Sequence, residues 1–347
     1  VAKKSSKPLA FKEAIATMIA EDKPLSASAM RAFSDLTGEK LEVWTTAWKH
    51  LPGPRRLALI EQLRDFAEED FEQNYNALYR AGLFDAEERV RLTAVEALVE
   101  DEHLSLVTPL LALLKDDSSE TVRAAAAQSL GRFVLLGETD GIPSARREQV
   151  YAALMRAFLI EPSSSPVHRR ALESLAYVSN DEIDLQIRDA FDSQDDLLRL
   201  SAIVAMGNSA NRAYLELVRS ELISLSPAVR REAARASGRL EDEEAVPGIA
   251  PLLEDPDESV RLVALDALAE IGGKDARRFL EAAAASEDEE FAAHAEEALD
   301  ELDFWHGDID FSLALFDEDA QKPTHVFTPE PAQDDEPDSA QDGAKED

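Results

Sequence analysis

No cysteine occurs in the 347 residues, which removes disulfide frameworks and thiolate metal sites together. Aromatic residues make up 6% of the chain, so small and aliphatic side chains must fill most of the interior. Cations are scarce: 36 Lys and Arg stand against 71 Asp and Glu, a formal charge of −35. Nucleic-acid and anionic-membrane binders need a basic footprint, and this balance argues against both. There is no apolar run of about 18 residues, so no membrane span is predicted. Near the N-terminus Lys3, Lys4 and Lys7 precede LAFKEAIATMIAED, whose Lys12 and Glu13 mark an amphipathic helix rather than a secretory signal. The expected location is cytoplasmic.

What the chain does have is a period. In DPDESVRLVALDALAEIGG (255–273) small or apolar residues follow Val260 at +4 (Ala264), +7 (Ala267) and +8 (Leu268), one face of a helix. The same pattern aligns on Val90, Val122, Val167, Leu198, Val229, Val260 and Phe291, in steps of 32, 45, 31, 31, 31 and 31 residues. Position +4 is alanine in all seven: Ala94, Ala126, Ala171, Ala202, Ala233, Ala264 and Ala295. Position +7 is always Ala or Ser. Such columns predict stacked repeats of two helices, each burying its apolar stripe only against a neighbour. Helix axes near 8 Å apart require small residues at the contact.

Along the chain, residues 1–8 form a disordered basic N-terminus. Residues 9–82 form degenerate helical repeats that cap the stack, with helices expected over 9–21, 26–36, 39–50, 54–69 and 71–82. Trp44 and Trp48, four residues apart, are read as cap core rather than a ligand pair. Residues 83–302 hold the seven clear repeats. The 45-residue step carries about 14 extra residues, expected as a surface loop over 137–147 and as the weakest junction of the stack. Segment 303–319 is either a C-terminal cap or a linear motif, and 320–347 a disordered acidic tail.

On these residues the chain resembles bacterial HEAT-repeat domain-containing proteins, built from the short Ala-rich HEAT repeats also seen in phycobilin lyase subunits. DDSSETVRAAAAQSLGRF (116–133) and DPDESVRLVALDALAEIGG carry the resemblance. It implies an all-α, right-handed α-solenoid of stacked antiparallel helix pairs. It also implies a structural ladder in which the Arg after Val bonds an Asp of an adjacent turn. The ladder residues would be Arg91, Arg123, Arg199, Arg230 and Arg261, with Asp85, Asp117 and Asp255. His168 and Ala292 replace the arginine in two repeats.

Two kinds of enzyme chemistry with recognisable residues are not matched, while a bilin-lyase reading survives on pattern alone. Deoxyhypusine hydroxylase uses repeated His-Glu pairs, and none of the six histidines here is followed by Glu. His294-Ala-Glu296 has a deaminase-like spacing without the cysteines that chemistry needs. His306, Asp308 and Asp310 read as solvated rather than metal-ligating. No catalytic, cofactor or metal residues are assigned. Positions +3, +6 and +10 of each second helix face away from the stack, toward what is the concave side in such solenoids. The central repeats place Arg132, Arg170, Tyr177, Asn208, Arg235 and Arg239 there, a candidate groove in an acidic chain. The expected function is a non-catalytic scaffold or adaptor for another protein, with its own acidic tail as a second candidate partner. The alternative is an accessory subunit of an enzyme, of the lyase type.

Overall fold

The computed structural model describes residues 9–20, 23–139, 141–178 and 180–306. The basic residues 1–8, most of segment 303–319 and the whole 320–347 tail lie outside the described residues. Every described element is a helix. The first four are α1 (Phe11–Ala20), α2 (Ala27–Arg31), α3 (Gly38–Lys49) and α4 (Gly53–Glu69). Then come pairs: α5 (Asn76–Gly82) with α6 (Glu88–Ala97), α7 (Val107–Asp116) with α8 (Glu120–Glu138), and α9 (Ser144–Ile160) with α10 (Pro166–Leu175). They continue as α11 (Asp181–Phe191) with α12 (Asp196–Asn208), and α13 (Leu215–Glu221) with α14 (Pro227–Arg239). The last are α15 (Val246–Ile249) with α16 (Glu258–Ile271), and α17 (Gly273–Ala284) with α18 (Glu289–His306). This is an α-solenoid of stacked helix pairs.

The second helices form an unbroken row, α4 to α18, in which each packs on the next. The alanine column makes that row possible. All seven +4 alanines are fully buried at 0% exposure. Gly207, at +9, lets α14 come so close that a Cβ there would stand 2.9 Å from the Ala236 Cα. Helix starts follow the chemistry of their turns. Ser119, Ser165, Asn180, Asp195 and Asp257 each accept a backbone N–H of the first turn they precede.

An Arg–Asp ladder runs along the turns, with a connectivity the offset within a repeat does not give. Arg91 holds Asp117 of the next repeat through Nε and Nη2, both at 2.7 Å, while its Nη1 donates to the Asp85 carbonyl. Arg56 closes Asp85 and Arg230 closes Asp255 in the same two-pronged way. Thus the Asp six residues before an Arg offers that Arg only its backbone carbonyl, and its carboxylate belongs to the preceding repeat. Arg123 and Arg261 donate to the Asp117 and Asp255 carbonyls accordingly. Arg230 has no such Asp yet engages all three nitrogens, because the Ser224 carbonyl serves equally well. Arg199 pairs with Glu221 at 2.5 Å. In the third repeat His168 stacks on Phe158, and its Nδ1 lies 2.8 Å from the Phe158 carbonyl oxygen.

Three local expectations are corrected. The helix expected over 26–36 ends at Arg31, and the turn that follows puts Asp35 at φ +53°. The helix expected from 71 starts at Asn76, and α5 then packs on α6 as the first half of a pair. The extra residues of the 45-residue step do not form a loop over 137–147. They lengthen α8 and α9, because Phe133, Val134, Val150 and Leu154 are apolar and buried, and the connection shrinks to 139–143. That junction is knitted to α10 by the Ser174 hydroxyl on the Ala127 carbonyl (2.9 Å) and by Ser165 on Glu120 (2.8 Å). Trp44 and Trp48 are buried and stacked 4.8 Å apart, with the Trp48 Nε1 donating to Asp85.

Candidate functional site

Three consecutive second helices, α10, α12 and α14, build a cleft of about 430 Å³ on their exposed face. Five of the six groove residues read from the sequence line it: Arg170, Tyr177, Asn208, Arg235 and Arg239. Arg169 and Arg231 join them, so that five arginines face two glutamates, Glu173 and Glu232. In a chain of formal charge −35, this is a local reversal of sign.

The arginines fall into two groups. Arg170 donates to Glu173 at 2.6 Å, one helical turn on. Arg235 and Arg231 share Glu232, at 2.6 and 3.1 Å. These three are tied by carboxylates that are themselves buried, Glu173 at 4% and Glu232 at 9% exposure. Burial pushes the Glu173 carboxyl above its usual range, while Arg170 pulls it back. The Ser201 hydroxyl also lowers it, although Oε1 makes no hydrogen bond of ordinary geometry among the described residues. Arg169 and Arg239 are different. Arg169 donates to the Ser164 carbonyl (2.7 Å) and Arg239 to the Asn208 side-chain oxygen. Among the described residues no carboxylate lies within ion-pair distance of either. Asn208 is in turn anchored by donating to the Glu173 carbonyl at 2.9 Å.

Between the two arginine-bearing helices, α12 presents Leu197, Leu200 and Val204, at helical spacings of three and four. Leu197 is 56% exposed. The cleft is therefore an apolar strip with guanidinium groups along both flanks. Such groups donate in a planar fork that fits a carboxylate.

Arg132, grouped with these residues by spacing, is not in the cleft. It turns back to the Val99 carbonyl and lies over the Phe133 ring. Burial lowers its pKa to about 10, against the pull of Asp101 and Glu102. Sequence reasoning missed Arg169, Arg231 and Leu200 because they stand at +2. At 100° per residue that position lies opposite the stack as +3, +6 and +10 do, and it opens toward the cleft at the N-terminal end of the second helices, but only those three positions are read as facing away.

The sequence model for HEAT repeats matches residues 77–176 and 215–300, more than half of the chain. The chain belongs to the HEAT-repeat family. No curated protein matches it. Among solved structures, human deoxyhypusine hydroxylase in complex with glycerol is similar at 18% identity, over 85% of this chain and 96% of that one, with a TM-score of 0.34. Yeast importin-beta (Kap95p) is similar at 14% identity, over 84% of this chain and 46% of that one, TM-score 0.43. A designed armadillo repeat protein is similar at 19% identity, over 56% of this chain and 99% of that one, TM-score 0.33. No described HEAT helix is long and apolar enough to cross a membrane.

Proposed function

We propose that this chain is a protein-interaction scaffold that receives its partner on the exposed face of the second helices, in the cleft between α10 and α14. The observation that carries this reading is the concentration of five arginines in one cleft of a strongly acidic protein. Stacked repeats present extended surfaces of this kind for binding. Arg and Tyr are the residue types that dominate binding hot spots, and Tyr177 lies beside the arginines. The overall negative charge favours a protein over a nucleic acid as that partner.

The test is site-specific photo-cross-linking in the native cell. A benzoylphenylalanine replaces Tyr177 in the cleft, and in a control replaces Leu185, which is exposed on α11. A partner captured through position 177 and not through 185 supports the reading. Equal capture at both positions, or capture only at 185, overturns it.

A further inference from the structure

The cleft also specifies the kind of segment that fills it, an inference that rests on the binding role just proposed. Three of its arginines already have carboxylates. Arg170 is tied to Glu173, and Arg231 and Arg235 to Glu232, and both glutamates are buried. These internal pairs fix the direction of the guanidinium groups and leave one positive charge of the three uncompensated. The arginines with no carboxylate at ion-pair distance among the described residues are Arg169, on the first turn of α10, and Arg239, on the last turn of α14, the latter facing Glu270 at longer range. They stand at opposite corners of the cleft, and Leu197, Leu200 and Val204 of α12 lie between them.

We infer that the occupant is an acidic segment of a partner protein, with apolar side chains at its centre and carboxylates on both sides. Its apolar residues cover the α12 strip, and its flanking Asp or Glu side chains pair with Arg169 and Arg239. Charge complementarity decides the sign. The chain as a whole carries a formal charge of −35 and repels such a segment, whereas the five arginines against two glutamates of this cleft attract it. The apolar strip decides the rest, because a purely acidic segment would leave Leu197 in water and gain little from burial. Arg169 and Arg239 are then recognition residues, whereas Arg170, Arg231 and Arg235 position the frame.

The probe is a fluorescein-labelled synthetic peptide of about twelve residues, roughly 40 Å when extended, with two leucines centred in a run of Asp and Glu. Two companions replace the leucines by serine or the acids by lysine. Fluorescence anisotropy with the full chain reads the affinity. The leucine-centred acidic peptide should bind, the serine version at least about tenfold more weakly, and the lysine version not at all. Arg169→Gln and Arg239→Gln should each lose about tenfold, as expected for a charge-assisted hydrogen bond. Arg169 compensates no buried carboxylate, so its variant should melt like the parent, whereas Arg239 offsets part of the desolvation of Glu270, so Arg239→Gln should melt slightly lower. Arg278→Gln, an exposed arginine on α17, should bind unchanged. Raising salt from about 0.05 to about 0.3 M should weaken binding, since screening shortens the reach of both cations.

Binding that ignores Arg169, Arg239 or the leucines overturns the inference, as does equal binding of the lysine peptide. If position 177 still captures a partner while no acidic peptide binds, the docking face stands and the acidic, apolar-centred occupant does not. If neither occurs, both readings fall.

Discussion

Arginine is used in two ways in this molecule, and the contrast separates what holds the solenoid together from what it offers to a partner. Along the turns, Arg91 and Arg230 reach across to the next repeat and grip its Asp with two parallel bonds, leaving only 12% and 13% of each side chain exposed. On the second-helix face, Arg170 and Arg235 stay on their own helix, make one short bond to a Glu a turn away, and keep 42% and 36% exposed. A ladder arginine joins two repeats and engages all three of its nitrogens. A cleft arginine is held in place with donors still free. The difference lies less in the arginine than in where its carboxylate is attached, on the neighbouring repeat or on the same helix.

The largest expected effect tests that distinction directly. Asp255→Ala strips Arg230 of both bonds at a site where each partner is mostly buried, and should cost about 3 kcal/mol in denaturant unfolding. It also removes the bond from the Asp257 N–H that fixes the turn. Glu232→Ala frees Arg231 and Arg235, which can turn to water, and should cost about 1 kcal/mol or less. If the two variants melted alike, the cleft pairs would be as structural as the ladder, and the contrast would fail.

A second measurement asks whether the two regions differ in packing as well as in charge. Ala202 lies in α12 beneath the cleft and Ala264 in α16 beside the ladder, and both are at 0% exposure. Ala202→Leu and Ala264→Leu should each destabilise by about 2 kcal/mol, because added bulk forces neighbouring helices apart. Glu254→Leu, at an exposed turn, should change little. Equal costs at 202 and 264 would show one continuous stack whose regions are distinguished by polar chemistry. A much smaller cost at 202 would show the stack beneath the cleft to be loose.

Much of this architecture is legible in the amino-acid sequence. The alanine column read directly as helix contacts, because a periodic small residue has few other uses and the steric demand repeats at every interface. Five of the six groove residues come together for the same reason: a fixed period carries a fixed helix face. What was not legible was anything set by a change in the period. The extra residues near Gly137 carried Gly, Pro and Ser and so read as loop. In the fold Phe133, Val134 and Val150 bury enough to keep α8 and α9 helical past the usual ends. Nor could the offset of six residues show that an Asp gives its carboxylate backward along the chain and its carbonyl forward. That division depends on the distance between repeats, which no spacing within one repeat contains. Arg132 illustrates the same limit, since its helix face was right and its side chain turned to the Val99 carbonyl.

The smallest expected effect is a titration in which the two regions pull in opposite directions. In the ladder, the hydrogen bond from Arg230 holds the Asp255 carboxyl below the usual range. The unfolded chain then binds the proton more readily, so this contribution is present above about pH 4 and is lost as pH falls through the folded value. In the cleft, burial pushes the Glu173 carboxyl up, and Glu232 nearby adds to the rise. Here the folded chain holds the proton more tightly. Stability therefore falls as pH rises from the unfolded value, near 4.3, through the folded one. Unfolding free energies of the parent and of Glu173→Gln, measured across this range, isolate the second effect because glutamine does not titrate. The stability of the parent relative to Glu173→Gln should decline as pH rises above about 4 and then level off. Below that, both proteins should weaken together as the ladder aspartates protonate. A difference that stays flat with pH would mean that Glu173 is ionised at no cost. Its carboxylate would then already be solvated, and the cleft would be a wetter and shallower surface than its geometry indicates.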